Sequence, residues 1–434
     1  MSRKRAAEAR EAGAAPSSRD LDVFASAQRA GRLTRSAREA ETFLFGYARD
    51  CPPEGAISLT MPVVPDQYDS MGSVHPVFEM NLPEGALLER LRLMFAKTVP
   101  DFDALTLLSI LGRSQIGRLR YASAGAQPQE VPAEDLTALL AHRGSEDLFL
   151  DLLERHAAHS GISGMQPKAL VRADDTAPDR FTHRGATHIV KSFDPREYGE
   201  LAANEYFCLR AAVLAGIPAA AARLSENRRI LVLDRFDLRE NGVYLGCEDF
   251  CVLSALRSTG RYQGSYEDVA RRIGQFVSPE HLPGALEQFF ATLALCCAIE
   301  NGDAHLKNFA VLYADPQQPV ALAPAYDLVS TTPYVPRDVL ALTLGGTKEF
   351  PDRTRLVRFG RSACGLGKAA VERILAAVTA GVRGAIAEMQ RHAREYPDFA
   401  RAQERLSQTF ERGLARSLQS RARGSASTGT RISN

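Results

Sequence analysis

The chain carries almost no net charge. Its 53 Lys and Arg against 52 Asp and Glu leave +1 at pH 7, so no global field argues for nucleic acid or a membrane surface as partner. It also lacks a long apolar run: the longest, Phe289 to Ile299, falls far short of the roughly 20 residues that span a bilayer. The opening residues MSRKRAAEAR are charged and contain no apolar leader region. A cytoplasmic enzyme with no membrane contact is the expectation. The seven cysteines (Cys51, Cys208, Cys247, Cys251, Cys296, Cys297 and Cys364) are odd in number and form no C-x-x-C pair. That argues against a disulfide framework and against a zinc site, and it points to reduced thiols, several of them buried. No internal repeat is visible.

What is present is 434 residues, 45% of them hydrophobic, enough for a large core in two or three domains. The basic ends, 1–20 and 416–434, read as flexible and solvated. LDVFASAQRAGRLTR reads as a strand, a turn at Ala30-Gly31 and a return, and ETFLFGYA and ISLTMPV extend that sheet. EGALLERLRLMFAKT and DALTLLSILGRS carry the 3.6-residue apolar period of two helices. Residues 21–125 thus form one α+β unit, and ASAGAQPQEVPAE, around 122–134, reads as a linker. A second unit, 134–240, runs from helical residues near 134–158 through SGISGMQPKALV and the strand THIVKSF. It continues with a helix from Gly199 to Ala215, stopped by Gly216 and Pro218, and the strand RILVLDRFDL. Residues 241–415 read as mainly helical.

One stretch interrupts those helices: Asn301-Gly302-Asp303-Ala304-His305-Leu306-Lys307-Asn308, with Asp327 beyond it in PAYDLVS. A kinase needs one carboxylate to take the proton of the acceptor hydroxyl. It needs an amide oxygen and a second carboxylate to hold magnesium on the triphosphate. Asp303, Asn308 and Asp327 supply these groups in that order, framed by the apolar segments FFATLALCCAI, FAVLY and VALAPAY as helix, strand and strand. Magnesium takes few protein carboxylates and prefers hard oxygens, which suits an Asn oxygen with Asp327. His305 reads as a packing and hydrogen-bonding residue beside the base, with acid–base work in catalysis as the other reading. Lys307 is placed to neutralise a transferring phosphoryl group, with a surface lysine as the bland alternative.

Lys191 in HIVKSF and Glu205 in the next helix suit the ion pair that orients phosphates. Ser160-Gly161-Ile162-Ser163-Gly164 precedes the strand KALV and offers backbone N–H groups with little bulk, as a phosphate loop would. It is neither G-x-G-x-x-G nor a Walker A motif, and an ordinary turn remains the other reading. Asp234 and Phe236 lie where an apolar strand turns abruptly to charge, as at a hinge whose backbone reads adenine; a plain strand end fits equally. Residues 330–360, with LTLGGTKEF and Arg353-Thr354-Arg355, read as part of an acceptor groove or as a surface loop.

Taken together, SGISGMQPK, THIVKSF, NEYFCLRAAVLAGI, LVLDRFD, GCEDFC, NGDAHLKNF and PAYDLVS resemble the HipA family of bacterial serine/threonine kinase toxins. GRLTR, ISLTMPV, FEMNLPEGALLERL and LGRSQIGRLRY are similar to that family's small N-terminal domain, so the resemblance runs from about 21 to 415. It implies an α+β, two-lobed protein-kinase-like fold with the N-terminal unit packed on the N-lobe. It implies ATP and Mg2+, with Asp303 as base, Asn308 and Asp327 on the metal and Lys191 on phosphate. It further implies a protein substrate, aminoacyl-tRNA synthetases being the known type, with arrest of translation and growth. The implied partner is a small helix-turn-helix antitoxin, through which any DNA contact would come. Two other readings stay open: a kinase-like enzyme acting on a small molecule or lipid, and a non-catalytic antitoxin-binding co-repressor. Intact Lys191, Asp303, Asn308 and Asp327 argue against the latter.

The chain departs from the family at Gly161, where some members carry the loop serine whose autophosphorylation silences them. Ser163, or alternatively Ser160, is left for that role. A phosphate of about −2 charge there would compete with those of ATP and expel the loop. Phosphopeptide mapping of active, ATP-treated protein is expected to find the modification on Ser163, and an unmodified Ser163 would sink this assignment.

Overall fold

The computed structural model describes residues 20–39, 41–80, 82, 88, 102–112, 115–128, 180–184, 187–193 and 199–419. The helix expected at 84–98 apart from residue 88, the helix expected at 134–158, the linker from 129 on, the Ser160–Gly164 loop with the strand KALV, and residues 1–19 and 420–434 lie outside them.

The N-terminal unit is an antiparallel sheet of β1 (Leu21–Ala25), β2 (Gln28–Arg35), β3 (Thr42–Tyr47), β4 (Tyr68–Met71) and β5 (Leu119–Ser123), in the order β4-β3-β2-β1-β5. Alternation along β3 buries Phe43 and Phe45 against Leu33, Val23 and Phe78. Helix α1 (Ala104–Leu111) adds Leu105 and Leu108 to this core, and its first turn is capped by the Asp103 carboxylate, which accepts from Thr106 N–H at 2.9 Å.

Two sequence expectations fail here. The chain reverses at Ser26-Ala27, with Ser26 at φ 57°, and not at Ala30-Gly31. Gly31 sits inside β2 opposite Tyr47, where a Cβ would come within 2.3 Å of the Gly46 carbonyl oxygen, so close strand approach requires glycine there. ISLTMPV forms only a Ser58–Met61 bridge. The reason is that the Leu59 N–H and the Ser58 hydroxyl are given to the Glu248 carboxylate, at 2.8 and 2.5 Å, and not to a strand ladder. The outer strand is instead β4, a polar edge that lacks an apolar alternation to announce it.

The second sheet joins β6 (Arg180–Arg184), β7 (His188–Phe193), β8 (Ala222–Leu224) and β9 (Ile230–Asp234) in the antiparallel order β6-β7-β9-β8. Helix α2 (Leu201–Leu214) packs beside it. The Gly216 and Ile217 N–H groups close its C-terminus on the Val213 and Ala212 carbonyls, with Gly216 at φ 75°. A third sheet joins β10 (Gly246–Asp249), β11 (Ala310–Tyr313) and β12 (Ala321–Leu322).

The remaining mass is helical: α3 (Tyr266–Phe276), α4 (Leu282–Ala298), α5 (Arg353–Ser362), α6 (Lys368–Glu395) and α7 (Ala400–Gly413), closed by a π-helical turn Leu414–Leu418. From Leu293 to Ala298 α4 is apolar on every face and fully buried, as such a stretch must be. Ser417 and Leu418 are buried as well. All seven cysteines are free and buried. Among the described residues no helix is long and apolar enough to cross a membrane.

Buried polar contacts dock the N-terminal sheet on the rest. Glu248 accepts from Ser58, Leu59 and the Tyr313 hydroxyl, the last at 2.5 Å. Burial pushes its carboxyl above the usual range, and these three bonds and the Arg118 cation partly offset that. Arg235 and Asp237, paired at 2.6 Å, reach the Gln115 carbonyl and the Gly117 N–H. Glu248→Ala would leave three buried donors without an acceptor and is expected to cost about 3 kcal/mol in urea unfolding, with Glu248→Gln costing less. An alanine variant as stable as the parent would show that this dock contributes nothing.

Candidate active site

Helix α4 stops at Ala298 because Glu300 turns into the left-handed region at φ 53° and sends the chain into the polar segment. The segment folds on its own polar groups. Asp303 N–H donates to Asn301 Oδ1 at 2.9 Å, Gly302 N–H to Thr331 Oγ1 at 2.8 Å, and His305 N–H to the Asp303 carbonyl at 2.8 Å. The Tyr266 and Tyr326 hydroxyls donate to the carbonyls of Ala304 and Lys307, at 3.0 and 2.7 Å. Gly302 has no substitute, since a Cβ would lie 2.1 Å from Asp338 Oδ2. These bonds satisfy the backbone groups they involve, as burial in the fold requires.

Strands β11 and β12 then return the chain to Asp327, which also has positive φ, at 56°. Three elements converge on it. Lys191 Nζ, from β7, lies 2.8 Å from Asp327 Oδ1 and 2.5 Å from Glu205 Oε1 of α2. Asn308 Nδ2 donates to Asp327 Oδ2 at 2.9 Å. Lys191 and Glu205 are 5% and 0% exposed, so this is a desolvated ion pair whose partners must be matched.

Asp303 stands apart from that cluster, its side chain 45% exposed, with Oδ1 accepting from the Tyr262 hydroxyl at 2.7 Å. His305 packs edge-on against the Tyr262 ring, its Nε2 3.9 Å from Asp303 Oδ1. Burial, helped by the Arg261 and Lys307 charges, lowers the imidazole to about 4 against the pull of Asp303. His305 is therefore neutral at pH 7. Lys307 faces the field of Asp249, a buried carboxyl pushed up to about 6 by burial, with Lys307 and the Val252 and Cys251 N–H groups holding it lower.

Beyond the end of β9, Phe236 stacks on Tyr326 at 5.1 Å. Asp234 is held at the surface by Arg223, at 2.8 Å, and by His188, at 3.3 Å. Lys191, Glu205, Asn308 and Asp327 are thus brought together, Asp303, His305 and Lys307 lie on the same segment, and Asp234 and Phe236 lie at the strand end.

Whether magnesium suits these residues follows from the donor set. Among the described residues no group of three or more His, Cys, Asp or Glu side chains surrounds a common point. Asp327 with Asn308 fits a cation that takes most of its oxygens from substrate and water. The amide turns its nitrogen to Asp327, while Oδ1 accepts from His305 N–H at 3.2 Å. Ligation through Oδ1 calls for rotation of the amide, which gives up the bond from His305 N–H while that N–H keeps the Asp303 carbonyl. Sequence reasoning missed Tyr262, Asp249, and Glu300 with its partners Arg412 and Arg416. The adjacent carboxylates Glu248-Asp249 in an apolar stretch were the one available signal.

Comparison with known proteins agrees with this geometry. The family profile described as HipA-like C-terminal domain matches residues 160–386, and that described as HipA N-terminal domain matches 21–122. Two Sinorhizobium fredii proteins named as candidate kinases, Y4dM and Y4mE, are each 28% identical, the first over 64% of this chain and 67% of its own length, the second over 60% and 64%. The matches span about two thirds of those relatives. The structure of the HipA, HipB and operator DNA complex of Shewanella oneidensis contains a chain of the same fold. It aligns with a TM-score of 0.62 at 18% identity, over 91% of this chain and 97% of that one.

His305 gives a pH test. With a folded value of about 4 and an unfolded one of about 6.5, the unfolded chain binds the extra proton between them. The contribution to stability is complete above 6.5 and is lost as pH falls toward 4. Asp249, raised in the fold, acts in the opposite sense over an overlapping range. The clean readout is therefore the stability of wild type minus His305→Gln, which is expected to fall by about 1 kcal/mol between pH 7.5 and 5.5 in urea unfolding. A difference that stays constant with pH would show that His305 is not buried neutral.

Proposed function

The chain belongs to the HipA family, and on that premise we propose that it is an ATP-dependent serine/threonine protein kinase acting as the toxin of a toxin–antitoxin pair. The observation that carries this reading is the Lys191 ammonium shared by Glu205 and Asp327, at 2.5 and 2.8 Å. It unites the phosphate-orienting pair with the metal carboxylate, as phosphoryl transfer requires. Names of relatives and a likeness of fold alone would not select an activity.

In this reading Glu205 holds the Lys191 ammonium toward the nucleotide phosphates, and the Ser160–Gly164 loop covers them. The backbone around Asp234 and Phe236 receives the adenine. Asp327 and Asn308 would hold Mg2+, which supplies charge neutralisation on the phosphates. Asp303 takes the proton from the acceptor hydroxyl. The Tyr262 bond occupies Oδ1 and leaves Oδ2 to serve as the base. Lys307 offsets charge that develops on the transferred group. His305, neutral at pH 7, holds the segment in shape and does not act as an acid.

The acceptor is a Ser or Thr of a cellular protein, with an aminoacyl-tRNA synthetase as the first candidate, and its modification would stop translation and growth. The partner is a helix-turn-helix antitoxin, through which contact with DNA would come. The Shewanella complex with HipB and operator DNA supports that part of the reading.

The test is transfer from γ-labelled ATP with magnesium into a bacterial lysate, comparing wild type with Asp303→Asn. Label in a discrete protein band with wild type, reduced about 100-fold or more in the variant, is the expected result. Consumption of ATP without protein label would redirect the reading to a small-molecule acceptor. Neither transfer nor consumption would overturn the kinase reading for this chain.

A further inference from the structure

A cavity of about 350 Å3 opens behind the catalytic segment, between the end of α7 and the chain leading from Thr332 to Phe350. Its volume falls in the lower part of the range for small-molecule sites, roughly 300–1,000 Å3. Its walls have two kinds of chemistry. One is cationic, with Arg405, Arg412 and Arg416 spaced along one side of the C-terminal helix; the other is flat and apolar, made by Phe350 with Pro333 and Pro336.

The cations are only partly balanced. Glu300 is 2% exposed and takes Arg412 at 2.6 Å and Arg416 at 2.8 Å. The other carboxylate in the wall is Asp338, so three guanidinium groups face two acids. Arg416 uses Nη1 for Glu300, while its Nε and Nη2 are buried and meet no acceptor among the described residues. Its guanidinium lies over the Phe350 ring at 4.8 Å, and that of Arg405 lies over Tyr334 at 5.2 Å. Arg405 and Arg412 remain largely open to solvent. Buried donors without an acceptor are rare in folded proteins and mark a place where the protein alone does not complete the charge balance. Guanidinium clusters of this kind suit phosphate oxygens, which they bind with paired N–H groups.

From this we propose that the cavity is a second ligand site, separate from the nucleotide cleft, for a small phosphate monoester with a flat apolar body. The phosphate meets Arg405 and Arg412 at the mouth, within the surplus field of Arg416, and the apolar body lies against Phe350 and the prolines. The site is coupled to the catalytic segment by the chain itself. Glu300, which the same arginines hold, is the residue before Asn301, and its carbonyl accepts from Thr331 N–H at 3.1 Å. A ligand that draws on Arg412 thus acts on the residue that sets the course of the segment carrying Asp303.

The inference does not depend on the kinase reading, and its test measures binding alone. The full chain is titrated calorimetrically with phenyl phosphate, and in parallel with inorganic phosphate and with phenol. Phenyl phosphate should bind most tightly and phenol not at all. Arg405→Gln, an exposed position away from the Glu300 pairs, should weaken phenyl phosphate about tenfold or more. Phe350→Ala should weaken phenyl phosphate but leave inorganic phosphate unchanged. No binding at millimolar concentration, or binding indifferent to Arg405→Gln, would overturn the assignment.

Discussion

The ammonium of Lys191 is held between two carboxylates drawn from different parts of the fold: Glu205 on α2 and Asp327 beyond the last strand. A lone charge at 5% exposure would be costly to bury, and so would Glu205 at 0%. Each is tolerable only because the other is there, and removing one partner of such a pair costs about 3–5 kcal/mol. That mutual requirement fixes three elements at once. Strand β7 must present Lys191 on the face toward α2, α2 must turn Glu205 inward from an alanine-rich surface, and the segment at Asp327 must come up beneath both. Asn204, the neighbour of Glu205, reinforces this by exchanging bonds with Ser330, accepting from its N–H at 3.0 Å and donating to its carbonyl at 2.8 Å. Helix α2 is thus sewn to the chain just past Asp327.

The same segment is held in a conformation it would not adopt alone. Glu300 and Asp327, one at each end, both have positive φ, which for a residue with a side chain costs of order 1–3 kcal/mol. In both cases the side chain that creates the cost is also the one that is tied down. Glu300 accepts from Arg412, Arg416 and Thr332, and Asp327 from Lys191 and Asn308. Between the two ends the backbone is satisfied partly from within and by tyrosine hydroxyls, and partly by Thr331 Oγ1, the Arg261 carbonyl and strand β10. Asp303 can therefore stand half-exposed with its position set by the loop and by Tyr262, with no dependence on burial. A base must stay reachable while its neighbours are fixed, and this division of labour provides both.

What could be read in the sequence were features whose chemistry is local. Asp303, Asn308 and Asp327 stand out because carboxylates and an amide interrupt apolar elements whose periods are plain, and β9 and α4 follow from their runs of apolar residues. Contacts that depend on distant partners were not legible. ISLTMPV has the alternation of a strand, yet its backbone is claimed by Glu248, roughly 190 residues away. Gly31 looks like a turn residue because nothing nearby reveals that Gly46 will press against it. Strand β4 is polar because it is an edge, a property of its place in the sheet. Tyr262 and Arg412 are ordinary surface residues by composition, and only the fold gives them a carboxylate to hold.

Strand β10 shows how the N-terminal unit and the catalytic segment come to share one element. Side chains alternate along a strand, so the neighbours Glu248 and Asp249 point to opposite faces. Glu248 faces Ser58 and Leu59 of the N-terminal unit, whereas Asp249 lies in the field of Lys307. Both carboxyls are buried and pushed upward by that burial, so each depends on the donors its own side provides. Strand β10 also pairs directly with β11, which leads out of the catalytic segment. A displacement of the N-terminal sheet would strip Glu248 of two of its donors and load the strand that carries Asp249. The N-terminal unit is in this sense a structural partner of the catalytic segment, joined to it through two adjacent residues of one strand.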